Sequence, residues 1–163
     1  FFNCHSGTFD SSYGRFFLQW YSGMLVCHAD RVLNAVSQAL NRRGRPKILK
    51  SQSSNSDGSV TRVFKPPVPL GIKLAGVHWW FKTRAHAAEL TAGYYNTRAR
   101  DGYAPIMDVV KKHDALMSFT CVEMRDCEHP PESMCSPQGL LKQVIAGAKR
   151  ANIFLSGENA LQR

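Results

Sequence analysis

The sequence predicts an α/β fold with a parallel sheet, and two observations carry that prediction. Three short apolar runs, Ile72–Trp80, Leu116–Val122 and Ile153–Leu155, read as strands. Segments of helical character separate the second and third runs and precede the second, and this alternation implies right-handed βαβ units. The helix over Ser136–Lys149 is marked by its own chemistry, because Pro137 stands at its first helical position. The other helix spans Pro105–His113.

Upstream of the first strand, residues 1–14 read as irregular, with Gly7, Ser11, Ser12 and Gly14. A helix pattern begins near Arg15. Phe16, Phe17, Trp20, Tyr21 and Leu25, then Val32, Leu33, Val36 and Leu40, recur at intervals of three and four. The stretch is long for one straight helix, so a bend or division at Gly23 is expected, with Ser22 able to cap a second segment.

Residues 42–70 change character. Arg42, Arg43, Arg45, Lys47 and Lys50 crowd its start, a Ser-rich run follows at 51–59, and Pro66, Pro67 and Pro69 close it in extended form. The middle holds too little apolar surface to offset the entropy of ordering. The segment is therefore expected to be a basic, Ser/Pro-rich surface insertion within one domain spanning 1–163. The net charge of +9 invites a nucleic-acid reading. No aromatic residues interleave with the basic run to stack bases, so no nucleic-acid partner is expected.

Hydrophobic content of 44% is enough for a real core, and 163 residues suit one ordinary domain or part of a larger one. No stretch approaches the roughly 18 uninterrupted apolar residues of a membrane helix, so no membrane partner is expected either. Five cysteines make an odd set without a CxxC pair. Cys127, His129 and Cys135 invite a zinc reading, but Cys-x-His-x5-Cys lacks paired knuckle spacing, so free thiols and no metal are expected.

Each strand ends in polar groups that a pure core would exclude: Lys73 and His78-Trp79-Trp80, then Thr120-Cys121-Val122-Glu123, then Glu158-Asn159. Parallel neighbours would bring the three clusters to one rim, which in a (β/α) barrel is the reactive edge. Carboxylates, an ammonium, an imidazole, amides and indoles suit a polyhydroxylated ligand, because hydroxyls want many directional partners and sugar faces want aromatic platforms. Blander roles stand beside these. Lys73 can snorkel, His78 can be a hydrogen-bonded structural residue, Thr120 can serve as a β-former, and the indoles can pack. Glu158 is harder to set aside, since a carboxylate directly after a buried strand is costly unless paired or used.

The combination then becomes specific. Gly71-Ile72-Lys73-Leu74-Ala75-Gly76-Val77-His78-Trp79-Trp80-Phe81-Lys82 resembles a signature of plant β-amylases, glycoside hydrolase family 14. So do the stretch His86–Asn96, Asp101-Gly102-Tyr103, Phe119–Asp126 and Gly157-Glu158-Asn159-Ala160-Leu161, in family order, with Gly14–Ser22 resembling the family's helix opening. The resemblance covers nearly the whole chain except residues 42–70. It implies the later strands and helices of a (β/α)8 TIM barrel and an inverting exo-hydrolase that releases β-maltose from starch, maltooligosaccharides and other α-1,4-glucans, without a cofactor. It implies that Glu158 is the general base, that Lys73 and His78 bind glucosyl hydroxyls, that Thr120 binds substrate from an inner loop that moves as substrate arrives, and that Asn159 and Ala160 contact the sugar. Trp79, Glu123 and Leu161 match positions around the pocket. The resemblance also places the general acid and lid upstream of Phe1 and a sugar-binding arginine beyond Arg163, so the chain is expected to be an internal piece of a larger enzyme. A non-catalytic glucan-binding or regulatory homologue is the competing reading. Plastid and cytosol are both open to plant members.

Overall fold

The computed structural model describes residues 8–43 and 69–158. In chain order the elements are helix α1 (Ser12–Arg43), strand β1 (Gly71–Leu74), helices α2 (Ala87–Thr91) and α3 (Ala104–Lys112), strand β2 (Leu116–Thr120), two 3-10 turns (Asp126–Glu128 and Pro131–Ser133), helix α4 (Pro137–Ala151) and strand β3 (Leu155–Glu158). The expected insertion falls, apart from its ends, outside the described residues, as do Asn159 and Ala160.

The sheet order is β1-β2-β3, and both pairings are parallel, as the strand–helix alternation predicts. Lys73 aligns with Ser118 and Ser118 with Ser156, while Thr120 aligns with Glu158. Alternation along a strand then sorts the residues onto two faces. Met117 and Phe119 point to the helix side, where they pack with Tyr103, Met107 and Val110 of the α3 segment and Leu140 and Val144 of α4. Ile72, Leu74 and Leu155 join that cluster from the strand edges. Burying each large apolar side chain contributes about 1.5–3 kcal/mol. The opposite face carries Lys73, Ser118, Thr120, Ser156 and Glu158, and is polar.

Helix α4 begins where the sequence places it. The Ser136 hydroxyl accepts from the Gly139 N–H at 3.2 Å, and Pro137 follows at the first helical position. The helix ends at Asn152, which takes a left-handed conformation (φ 55°) and donates its N–H back to the last turn.

Helix α1 is one uninterrupted element, contrary to the expected division at Gly23. Ser22 is buried in mid-helix rather than capping a second segment. The helix also starts earlier than Arg15, because the Ser11 hydroxyl accepts from the Gly14 N–H at 3.0 Å and satisfies a first-turn donor. Asp30 ties α1 to the end of α3, with Lys112 Nζ at 2.8 Å and His113 Nε2 at 2.6 Å. A stripe of Phe16, Trp20, Met24, Val32, Val36 and Leu40 along α1 remains exposed.

All three strands are shorter or shifted relative to the apolar runs. Strand β1 stops at Leu74 rather than Trp80, because from Ala75 the chain leaves the ladder and Gly76 gives its N–H to a side chain of β2. Strand β2 stops at Thr120 rather than Val122, because Cys121 is left-handed (φ 68°). Strand β3 begins at Leu155, since the Ile153 N–H is spent on the Ala148 carbonyl at the end of α4 (3.1 Å). Glu158 is thus the last described residue of the strand itself rather than a residue beyond it.

Candidate active site

Lys73 and Glu158 sit on the two outer strands, about two strand spacings, roughly 9.6 Å, apart in backbone. Their side chains meet across the middle strand, with Lys73 Nζ donating to Glu158 Oε1 at 2.7 Å. Both are substantially exposed, so the pair contributes about 0–1 kcal/mol to stability. Its value is geometric, since it fixes a carboxylate and an ammonium over one rim. Among the described strand residues of the polar face, Glu158 is the only carboxylate.

Thr120 lies beside Glu158 in register and is buried. Its hydroxyl accepts from the Gly76 N–H at 2.8 Å, while the Cys121 thiol donates to the Gly76 carbonyl at 3.4 Å. The last residue of β2 and the one after it therefore grip the peptide units where β1 leaves the sheet. A Cβ at residue 76 would stand 3.1 Å from the Phe119 ring and 3.2 Å from Cys121 Sγ, so glycine lets the loop close down on β2.

His78 follows in the same loop and is fully buried. Its ring stacks on Trp79 at 4.3 Å and lies 4.8 Å from the His129 ring. Among the described residues neither of its nitrogens has a hydrogen-bond partner. Burial pushes its pKa down and the neighbouring His129 adds to that, while Asp126 opposes, so His78 is neutral at pH 7.

The loops after β1 and β2 are joined by backbone bonds: Trp80 N–H to Ser133 O at 3.1 Å, Lys82 N–H to Met134 O at 3.0 Å, and Ser136 N–H to His78 O at 3.1 Å. Asp126 anchors the same region to the start of α4, accepting from the Ser136 hydroxyl at 2.9 Å and the Gln138 N–H at 3.1 Å. Burial pushes the Asp126 carboxyl up, but Ser136, Gln138 and Lys82 outweigh it and hold its pKa below the ordinary value. The loops that carry His78 and His129 are thus fixed to α4 and to each other.

The structure brings Lys73, Thr120 and Glu158 together and sets His78 in the adjoining loop. Asn159 and Ala160 lie outside the described residues. Sequence reasoning missed two clusters. In the first, the buried Glu89 carboxylate contacts His86 Nδ1 at 2.8 Å and accepts from Tyr103 Oη at 2.9 Å and Asn96 Nδ2 at 3.0 Å. Gln143 of α4 extends the network to Asn96 Oδ1 at 2.9 Å and Asp101 at 3.1 Å. Burial first, and then the Glu89 charge, push the Tyr103 pKa well up. The His86/Glu89 spacing of three residues was a readable signal of this network. In the second cluster His129 and Cys135 do converge, but with His78 in place of Cys127, which is exposed.

A cavity of about 610 Å³ lies away from the rim and is lined by Lys82, His86, Arg98, Arg100, Asp101 and Arg150 among others. Its cations are engaged: Arg150 on Asp101, Lys82 near Asp126, Arg98 on the Lys82 carbonyl and Arg100 on the Tyr95 carbonyl.

A rim with one carboxylate, one ammonium and nearby hydroxyl and imidazole groups can take a proton from water beside a polyhydroxylated ligand. The sequence pattern of glycosyl hydrolase family 14 matches residues 1–163 in full. The chain belongs to glycosyl hydrolase family 14. Relatives of this family 14 chain include chloroplastic β-amylase 1 of Oryza sativa subsp. japonica, 44% identical over 163 residues and covering 100% of this chain and 26% of the relative. Chloroplastic β-amylase 1 of Arabidopsis thaliana is 42% identical over 163 residues, with 100% and 24% covered. The β-amylase of Glycine max is 41% identical over 158 residues, with 97% and 27% covered. The chain spans about a quarter of the length of the curated relatives it matches. The three-stranded parallel sheet with helices on one face is compatible with part of a barrel.

Proposed function

We propose that this chain is the base-bearing segment of a β-amylase, and that the full-length protein hydrolyses α-1,4-glucans from their non-reducing ends with inversion, releasing β-maltose. The observation that carries the reading is the Lys73–Glu158 pair at 2.7 Å on one rim of a parallel sheet, in a chain that matches family 14 throughout. In this reading the sheet is the later part of a (β/α)8 barrel, its polar face lines the barrel interior, and the exposed stripe of α1 packs against the remainder of the barrel.

Glu158 acts as general base. Oε1 takes the Lys73 ammonium, and Oε2 takes the proton of a water that attacks the anomeric carbon. An ammonium has three donors, so Lys73 holds Glu158 with one and reaches glucosyl hydroxyls with the others. His78, neutral, offers a ring nitrogen to a sugar hydroxyl, and Asn159 and Ala160 contact the sugar beyond Glu158. Thr120 sets the height of the loop that carries His78 by holding Gly76. Inversion needs a second carboxyl group about 6.5–9.5 Å from the base, with room for the water between them. That acid belongs to another part of the full-length protein. Residues 42–70 are a basic surface insertion in the same domain, and their removal is compatible with hydrolysis.

The test is proton NMR of the first product formed from maltotetraose by the full-length protein. The reading expects maltose appearing in the β anomer before mutarotation. Maltose in the α anomer, internal cleavage, or glucan binding without turnover would overturn it, the last in favour of a regulatory glucan-binding protein.

A further inference from the structure

We infer that His78, His129 and Cys135 form a binding site for a borderline-soft divalent metal ion, of which zinc is the best match. The three come from separate parts of the chain: the loop after β1, the turn after β2, and the residue before the cap of α4. One ligand atom from each lies within 4.8 Å of the others. His78 is fully buried, Cys135 is 3% exposed and His129 is half-buried, so the ligands are largely withdrawn from bulk water.

The hydrogen bonding argues for an occupant. Both ring nitrogens of His78 and Nε2 of His129 are buried without a partner among the described residues. A buried polar atom left unpaired costs about 1–3 kcal/mol, so three in one place call for something that satisfies them. A sugar hydroxyl at the rim would account for one His78 nitrogen and leave the other, together with His129 Nε2. A cation shared by His78, His129 and Cys135 satisfies that remainder.

The donor set selects the ion. Two imidazoles and a thiolate suit zinc, whereas calcium and magnesium take oxygen ligands. Zn–N bonds of about 2.0–2.1 Å and a Zn–S bond of about 2.3 Å put tetrahedral ligands roughly 3.3–3.8 Å apart. Separations of up to 4.8 Å thus need a contraction of at most about 1–1.5 Å, within reach of side-chain rotation. The thiol releases its proton to solvent on binding. The loops that hold the ligands are already tied together by the Ser136–His78 and Trp80–Ser133 backbone bonds, so little ordering remains.

The experiment titrates Zn2+ into the metal-stripped full-length protein by calorimetry, with Co2+ as an optical probe. We expect Co2+ to give a thiolate charge-transfer band and tetrahedral ligand-field absorption. Cys135→Ser should remove the band. His129→Gln should weaken Zn2+ binding by more than the roughly 10–100-fold that losing even an outer-shell partner costs. Cys127→Ser and Cys27→Ser, which change exposed thiols, should alter neither readout. Retention of the band and affinity in Cys135→Ser or in His129→Gln would overturn the site, as would their loss in Cys127→Ser or the absence of Zn2+ binding by the unsubstituted protein. If Cys135→Ser fails to fold, His129→Gln alone decides. The readout is metal binding, so the result stands whether or not the protein hydrolyses glucan.

Discussion

Replacing Thr120 by valine separates two roles that a threonine at this position can play. Valine keeps the shape and the strand preference of the side chain and removes only the hydroxyl. That hydroxyl accepts the buried Gly76 N–H at 2.8 Å, at the point where β1 leaves the sheet. An unpaired buried donor costs about 1–3 kcal/mol, which corresponds to a rise of about 5- to 150-fold in the local opening constant. Hydrogen exchange of the full-length protein, read by mass spectrometry over residues 71–80, should show faster exchange by a factor in that range. Peptides from α3 and α4 should be unaffected. Thr120→Ser restores the acceptor and should recover most of the protection. Activity on maltooligosaccharides should fall along with the protection, because His78 rides on this loop. A variant with normal exchange over 71–80 and a raised KM would show that the hydroxyl serves the sugar directly and that the Gly76 bond carries no structural weight.

The remaining expectations follow from other contacts. Glu89→Ala strands His86, Asn96 and Tyr103 without their shared acceptor, and should cost about 3–5 kcal/mol, visible as a large drop in thermal midpoint, whereas equal melting would mean the network is slack. Hydrogen bonds from Lys112 and then His113 hold the Asp30 carboxyl below its ordinary value of 3.8. The folded-state pKa is the lower one, so the contribution of Asp30 is complete above the unfolded value and is lost as pH falls through the folded value. Urea melts should therefore show Asp30→Asn less stable than the parent near neutrality and equal to it in strong acid. A gap that widens with falling pH would reverse the assignment. Gly102→Ala puts a Cβ against the backbone of Tyr94 and Asn96, where nothing flexible can yield, and should destabilise by about 1–3 kcal/mol; denaturant midpoints that match the parent would contradict this.

The parallel order of the strands and the start of α4 were legible because local chemistry decides them. Pro137 and Ser136 mark one helix end, and apolar runs between helices leave few topologies. Strand ends were less legible. Ile72–Trp80 is apolar except for Lys73 and His78, and only the Gly76 contact with Thr120, 44 residues away, shows where pairing stops. The continuity of α1 through Gly23 is a case of packing along both halves of the helix overriding one unfavourable residue, whose cost is about 1 kcal/mol. In the site, Glu158 stood out as a carboxylate at a strand end, and Lys73 as a cation inside a strand. Their meeting depends on register across β2, which no local spacing encodes. Cys127 was grouped with His129 and Cys135 on sequence proximity, yet the fold supplies His78 from about fifty residues upstream instead.

The central claim is that Glu158 takes the proton from the attacking water, and the variant Glu158→Gln in the full-length protein tests it most directly. The amide keeps the size of the side chain and an acceptor for Lys73 but cannot act as a base. Steady-state turnover of maltotetraose should fall by about 10²–10⁴, or roughly 2.7–5.5 kcal/mol of barrier, while calorimetric affinity for the same sugar stays near that of the parent. Turnover within a few-fold of the parent would remove Glu158 from the reaction.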